Sequence, residues 1–196
     1  MARVNPRKIQ GNWSAGYALD LHSISAQLLG YNEFGHPEFE TQRTELGELL
    51  YRLKYKSDET AVTEIVDAAE SFLGSWGIRF SLIVPVPPTR TERAMQPVLR
   101  IAGELGKRVG VPMAKDAVKK LKQVSELKNV YDFEERKKLL EGMYDVSRSV
   151  VAGHRVLLMD DLYRSGATLN AVTEAILQSG ASLVYALALT QTRKKV

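Results

Sequence analysis

The sequence predicts an α/β protein, a mostly parallel sheet flanked by helices and preceded by an N-terminal hood or appendage. Three observations carry this. From residue 79 onward, apolar β-branched runs alternate with helical apolar spacing, the pattern of strand-helix-strand units. Residues 156–159, Val-Leu-Leu-Met, form the unbroken apolar run of a strand buried on both faces. That run passes through Asp160, Asp161 and a short polar turn into the helical spacing of residues 167–177. Before residue 79, two amphipathic helices follow one another and read as the appendage. The expected division is therefore a hood and helical region at 1–78 and a core at 79–196.

In chain order, residues 17–24 alternate imperfectly and predict a strand, followed by a polar loop at 30–37. Glu45–Tyr55 predicts a helix, with Leu46, Leu49, Leu50 and Leu53 on one side. Residues 59–73 predict a second through Val62, Ile65, Val66, Ala69 and Phe72. Gly74-Ser75-Trp76-Gly77 is expected to break it. Residues 80–86 are rich in Ile and Val and predict a strand, halted by Pro87-Pro88-Thr89-Arg90, after which 92–109 reads as a helix. A short strand is expected near 112–114, then a polar stretch over 119–132, a short strand at 144–146, the apolar strand at 155–160 and a last strand at 183–190. Right-handed crossovers would bring the ends of the 80–86 and 155–160 strands to one edge.

Composition excludes several classes of function. With 196 residues, 44% hydrophobic and 26% charged, the chain suits one ordered domain, alone or with an appendage. No apolar run approaches the roughly 18 residues of a membrane span, and the polar first residues lack the apolar stretch of a secretory signal, so cytoplasm is the expected location. Cysteine is absent, which excludes disulfides, thiolate-bound zinc and thiol nucleophiles. His22, His36 and His154 are scattered without ligand spacing. Residues 1–78 hold 7 Lys or Arg against 11 Asp or Glu, whereas residues 79–196 hold 20 against 12. The basic half suits a polyanionic small ligand; nucleic acid is the other reading, but basic residues do not interleave with aromatics as base-stacking surfaces require.

The polar turn is where chemistry concentrates. A strand end leading into a helix N-terminus offers backbone N–H groups and positive dipole to a phosphate. Ser165 and Thr168 add hydroxyl donors there, and Gly166 allows close approach. Asp160 and Asp161 would repel a bare phosphate but accept hydrogen bonds from a sugar's vicinal hydroxyls, which points to a ribose 5-phosphate. Two other readings are an acidic pair holding Mg²⁺ for a nucleotide hydrolase and a simple helix cap. The hydrolase needs a G-x-x-x-x-G-K-[ST] loop, and Gly103-Glu104-Leu105-Gly106-Lys107 has neither the spacing nor the following hydroxyl.

A hydrophobic strand, paired acids and a turn ending in Ser-Gly-Ala-Thr resemble the phosphoribosyl-pyrophosphate (PRPP) signature of type I phosphoribosyltransferases. The resemblance implies that family's fold. It also implies that Asp160 and Asp161 face the ribose 2- and 3-hydroxyls, and that Tyr163, Arg164, Ser165, Gly166, Ala167 and Thr168 hold the 5-phosphate. Arg164 stands where a smaller residue is frequent, either as a further phosphate contact or as a solvated side chain. The turn with Pro88, Thr89, Arg90 and Arg93 would bind pyrophosphate, and a lid lysine among Lys119, Lys120 and Lys122 would offset charge on the leaving group. Mg²⁺ is implied as the cofactor, carried by PRPP with Asp160 and Asp161 as candidate ligands, and a small-molecule base or amine as the acceptor. A PRPP or nucleotide sensor without turnover is the alternative, and a homodimer is a further expectation.

Within the family, Leu53-Lys54-Tyr55-Lys56-Ser57-Asp58 and Pro85-Val86-Pro87 are similar to the ComF-like branch, named for competence, over residues 50–192. Two departures stand out. That branch usually carries an N-terminal cysteine zinc site, impossible here, and an Arg-Gly-Phe-Asn run where this chain has Arg93-Ala94-Met95-Gln96.

Overall fold

The computed structural model describes residues 2–88, 96–121 and 142–193. A five-stranded sheet runs in the order β1 (Arg7–Lys8), β2 (Ala15–Leu21), β9 (Leu183–Gln191), β8 (Arg155–Tyr163), β5 (Leu82–Pro85). β2, β9, β8 and β5 are mutually parallel, and only β1 is antiparallel to its neighbour. Beyond β5 the expected strand at 112–114 is reduced to a single parallel bridge between Ile83 and Met113. The remaining strands form two antiparallel ribbons, β3 (Ser23–Tyr31) with β4 (Pro37–Arg43), and β6 (Val118–Lys120) with β7 (Tyr144–Val146).

The sheet is buried on both faces, and β8 shows how. Successive side chains of a strand point to opposite faces. Leu157 and Met159 join Leu46, Leu50, Leu53, Ile65 and Ile101, the apolar stripes of α1 (Glu45–Tyr55), α2 (Thr60–Trp76) and α3 (Pro97–Val109). Val156 and Leu158 instead join Leu169, Val172 and Ile176 of α5 (Ala167–Gln178), beside Val151 of the short α4 (Arg148–Val151). The first cluster takes residues from both sides of the position-78 boundary, because β2 lies inside the sheet and α1 and α2 cover one of its faces.

α1 begins where its sequence signals it. The Thr44 hydroxyl accepts the Gly47 N–H at 3.0 Å and donates to the Leu21 carbonyl at 2.6 Å, so one cap both starts the helix and ties it to the end of β2. Gly47 then lets the helix lie against the sheet edge, for a Cβ there would run into the His22 carbonyl oxygen.

Several boundaries differ from expectation. α2 passes through Gly74 to Trp76 and stops at Gly77, left-handed at φ 68°. The extra turn puts Trp76 against Tyr17, Phe72 and Tyr185, and that aromatic burial outweighs the weak glycine. α3 begins at Pro97, a residue suited to the first helical turn, rather than at 92; residues 89–95 lie outside the described part. The strand expected at 17–24 is two strands, with His22 between β2 and β3. The loop expected at 30–37 is the tip of the β3–β4 ribbon, whose bulges at Ser23–Ser25 and Leu28–Gly30 break the alternation that would have marked it.

Candidate functional site

β8 does not end at Asp160. It runs on through Tyr163, pairing Asp160 with Ala188, Leu162 with Thr190 and Tyr163 with Gln191, so both acids belong to the strand rather than to the turn after it. The pleat sends adjacent residues to opposite faces. Asp161 continues the face of Leu157 and Met159, towards α1, and Asp160 continues the face of Val156 and Leu158, towards β7.

Asp161 finds a cation on its own side. Lys54 Nζ in the last turn of α1 lies 2.5 Å from Asp161 Oδ2, with the two side chains 14% and 24% exposed. Thr190 Oγ1 on β9 donates to the Asp161 carbonyl at 3.0 Å, and His22 Nδ1 lies 3.3 Å from the same hydroxyl. The hydroxyl's one hydrogen is committed to Asp161, which assigns the His22 Nδ1 proton as the donor in that contact. Burial, then the positive charges of Lys54 and Arg43, hold the His22 imidazole below its ordinary pKa, with Asp161 opposing.

Among the described residues Asp160 has no cation of its own. Burial first, and then the charge of Asp161, push its carboxyl up to about 7; the Asp161 N–H, donating to Oδ1 at 2.8 Å, and Lys54 act against the rise. Tyr144 faces the same acid, and burial plus the Asp160 charge raise its phenol to about 12. The pair therefore combines a lysine-bound acid with one poised between charged and neutral.

Both acids open into a cleft of about 420 Å³ lined also by Lys54, Tyr55, Val86, Pro88, Gln96, Arg164 and Thr168. Arg164 thus joins the site. The turn leading into α5 has Gly166 at φ 81° as its N-cap residue, and of residues 163–168 Arg164 and Thr168 line the cleft while Tyr163, Ser165, Gly166 and Ala167 do not. Ser165 Oγ accepts the Ala167 N–H at 3.4 Å. A Cβ at Gly166 would come within 2.9 Å of the Tyr163 ring.

That ring is braced from outside. The Tyr163 hydroxyl donates to the Gln10 carbonyl at 3.2 Å, Trp13 meets the ring edge-on at 6.4 Å, and Asn12 brackets Asn170 with bonds of 2.9 and 3.1 Å. The N-terminal segment therefore holds the turn in place, and Tyr163 acts there as a support.

Of the other expected site residues, Pro88 lines the cleft, while Thr89, Arg90, Arg93 and Lys122 fall outside the described residues. Lys119 and Lys120 lie on β6, opposite Asp145 and Tyr144. Lys119 lines a separate cavity of about 580 Å³ with Lys115, Asp116, Asp145 and Ser147. Lys54 and Thr190 at Asp161 were not singled out by residue pattern, and His22 was read as a scattered histidine. The signal for Lys54 was its place in the Leu53–Asp58 run together with the helical register of α1, which turns it to the sheet's carboxyl edge.

Among the described residues no three His, Asp or Glu side chains converge as a metal cage. Two carboxylates, one already paired with lysine, fit a cation such as Mg²⁺ that keeps several waters and takes most of its oxygens from a phosphate ligand.

No family model and no curated protein sequence matches the chain. Solved structures do. Glutamine PRPP amidotransferase from B. subtilis superposes with a TM-score of 0.51 at 16% identity, over 81% of this chain and 34% of that one. Adenine phosphoribosyltransferase from Saccharomyces cerevisiae gives 0.51 at 14% identity, over 86% and 84%. The fold is that of the type I phosphoribosyltransferases. This chain spans about a third of the amidotransferase and most of the adenine enzyme. In that fold the acid pair sits at the carboxyl edge of a parallel sheet, where open α/β sheets take their ligands. Among the described residues no helix is long and apolar enough to cross a membrane.

Proposed function

We propose that the cleft binds PRPP with Mg²⁺ and that the chain transfers the phosphoribosyl group to a base or amine, releasing pyrophosphate. One observation carries the reading: adjacent carboxylates at the end of a parallel strand share a cleft with Arg164 and Thr168 of a helix N-terminal turn, on a phosphoribosyltransferase fold. The C1–oxygen bond to the diphosphate breaks, a C1–nitrogen bond forms on the opposite face, and the acceptor nitrogen gives up its proton. Asp160 and Asp161 accept the ribose hydroxyls and face the positive charge that develops on the ring. Lys54 orients Asp161 while screening the acids from an incoming polyanion. The N–H groups of the α5 turn and Arg164 hold the 5-phosphate. Pro88 leads into the segment with Thr89, Arg90 and Arg93, which takes the pyrophosphate, with a basic residue of the 119–122 region as counter-charge. When bound, Mg²⁺ supplies positive charge to the departing diphosphate.

The Leu53–Asp58 and Pro85–Pro87 runs support placing the chain in the ComF-like branch, and the lysine of the first run is the residue at Asp161. The acceptor lies on the hood side, where Lys54 and Tyr55 line the cleft. Calorimetry with PRPP and Mg²⁺ on the double variant Asp160→Asn, Asp161→Asn tests the donor half, and affinity equal to the parent's would dismiss it. Pyrophosphate release against a panel of bases and amines tests turnover; binding without release would make the chain a sensor.

A further inference from the structure

Thr190 is out of keeping with the strand that carries it. β9 runs Leu-Val-Tyr-Ala-Leu-Ala-Leu over residues 183–189 and then places a threonine, fully buried, at the carboxyl edge of the sheet. Valine would fill the same space with no hydroxyl to desolvate, and a buried hydroxyl is tolerated only when its hydrogen bonds are made. Here they are made, and they lead across three strands. The Thr190 hydroxyl donates to the Asp161 carbonyl on β8 at 3.0 Å and accepts a hydrogen bond from His22 Nδ1, just past the end of β2, at 3.3 Å.

His22 is itself fixed. Its N–H donates to the Gln191 carbonyl on β9 at 2.8 Å, and its own carbonyl oxygen lies so close to Gly47 of α1 that a Cβ there would come within 2.0 Å of it. The last turn of the same helix supplies Lys54, 2.5 Å from the Asp161 carboxylate. These contacts close a ring, from His22 to Thr190, to the Asp161 main chain, through its side chain to Lys54, and along α1 back to His22. Asp161 is thus gripped at both ends. Hydrogen bonds in series strengthen one another, and without the His22 donor the Thr190 hydroxyl loses the group that fixes its direction.

We infer that His22 and Thr190 are positioning residues for phosphoribosyl transfer, setting the Asp161 main chain so that its carboxylate faces the ribose as positive charge develops there. The role rests on the transfer reading. Neither side chain lines the cleft, so both act through Asp161. A displacement of about 1 Å from outside a reacting centre costs up to about a hundredfold in rate. Burial, Lys54 and Arg43 favour the neutral His22 ring, with Asp161 opposing. Protonation would add a hydrogen at Nε2 and leave the Nδ1 donor in place, so His22 serves as a fixed donor and carries no proton in the reaction.

Pyrophosphate release and calorimetry with PRPP and Mg²⁺ test this on two pairs of variants. Thr190→Val and His22→Leu keep the bulk and lose the hydroxyl or the donor; kcat is expected to fall about tenfold, with PRPP affinity changed less than about threefold. Thr190→Ser and His22→Asn, whose amide can donate in place of Nδ1, are expected to return kcat to within about threefold of the parent. The carbonyl ¹³C resonance of Asp161 should move in the first pair and return in the second, which reads the hydrogen bond itself apart from any change in stability. A parent that binds no PRPP or releases no pyrophosphate ends the transfer reading, and this role with it. A parent that turns over overturns the positioning alone if the valine and leucine variants match it, if they lose affinity as much as rate, or if the serine and asparagine variants are as slow as they are.

Discussion

Replacing Asp160 with asparagine is expected to make the protein more stable and, at the same time, to remove PRPP binding. In the folded chain this carboxyl is held near 7 against an ordinary 3.8, first by burial and then by Asp161. An acid with a raised folded pKa holds its proton more tightly folded than unfolded. The folded state is therefore unpenalised below about pH 4, loses stability as pH rises towards 7, and carries the whole penalty above that. At about 1.4 kcal/mol per unit the ceiling is about 4 kcal/mol, and water in the adjoining cleft reduces it to about 2–4. Asparagine has nearly the same shape and keeps an oxygen for the Asp161 N–H, 2.8 Å away, but never carries the charge. Urea denaturation of parent and variant should differ by about 2–4 kcal/mol at pH 8 and by about 1 kcal/mol or less at pH 4.5. For a chain of this length the gain at pH 8 corresponds to roughly 5–15 °C in melting temperature. A variant no more stable than the parent at pH 8, or one stabilised equally at both pH values, would refute the reasoning.

Lys54→Met leaves a largely buried carboxylate without its cation and is expected to lower stability by about 1–3 kcal/mol; carboxyl NMR titration should then show Asp160 still higher than in the parent, because Lys54 acts to lower it. Gly166→Ala forces a side chain into the left-handed region and towards the Tyr163 ring, with an expected loss of about 1–3 kcal/mol in thermal unfolding and a weaker 5-phosphate contact by calorimetry. Gly47→Ala drives α1 off the His22 carbonyl, and a loss of about 2 kcal/mol or more is expected, together with reduced PRPP affinity as Lys54 is carried away from Asp161.

How far these features can be read from the chain depends on how local their causes are. α1 was legible to the residue, because four leucines at helical spacing mark Glu45–Tyr55. β8 and α5 were legible for a similar reason, with apolar continuity giving way to apolar periodicity at Gly166. The end of β8 was not. Two consecutive aspartates look like the close of a strand, and only pairing with β9 carries them inside it. The β3–β4 ribbon was obscured by its bulges and by apolar residues that no core explains. At the site, the acids and the turn into α5 are contiguous in sequence and stood out as a group. Lys54, His22 and Thr190 come from α1, the end of β2 and β9, and only the sheet order makes them neighbours. The brace of Gln10, Asn12 and Trp13 is further still from the turn it supports, and no spacing rule connects them.

The insertion of β9 between β2 and β8 has a consequence for assembly. His22 and Thr190, which meet across the β2–β9 pair, are 168 residues apart, so an early strand of the chain can find its parallel neighbour only after nearly everything between has been made. Until β9 arrives, β2 and β8 each present an unpaired edge, and the lysine-bearing helix has no finished platform on which to meet its aspartate. Closure of such long loops is slow, and partly built parallel sheets are prone to join with one another. The acid-pair cleft is thereby among the last parts of the molecule to form, and its appearance reports that the whole sheet is complete.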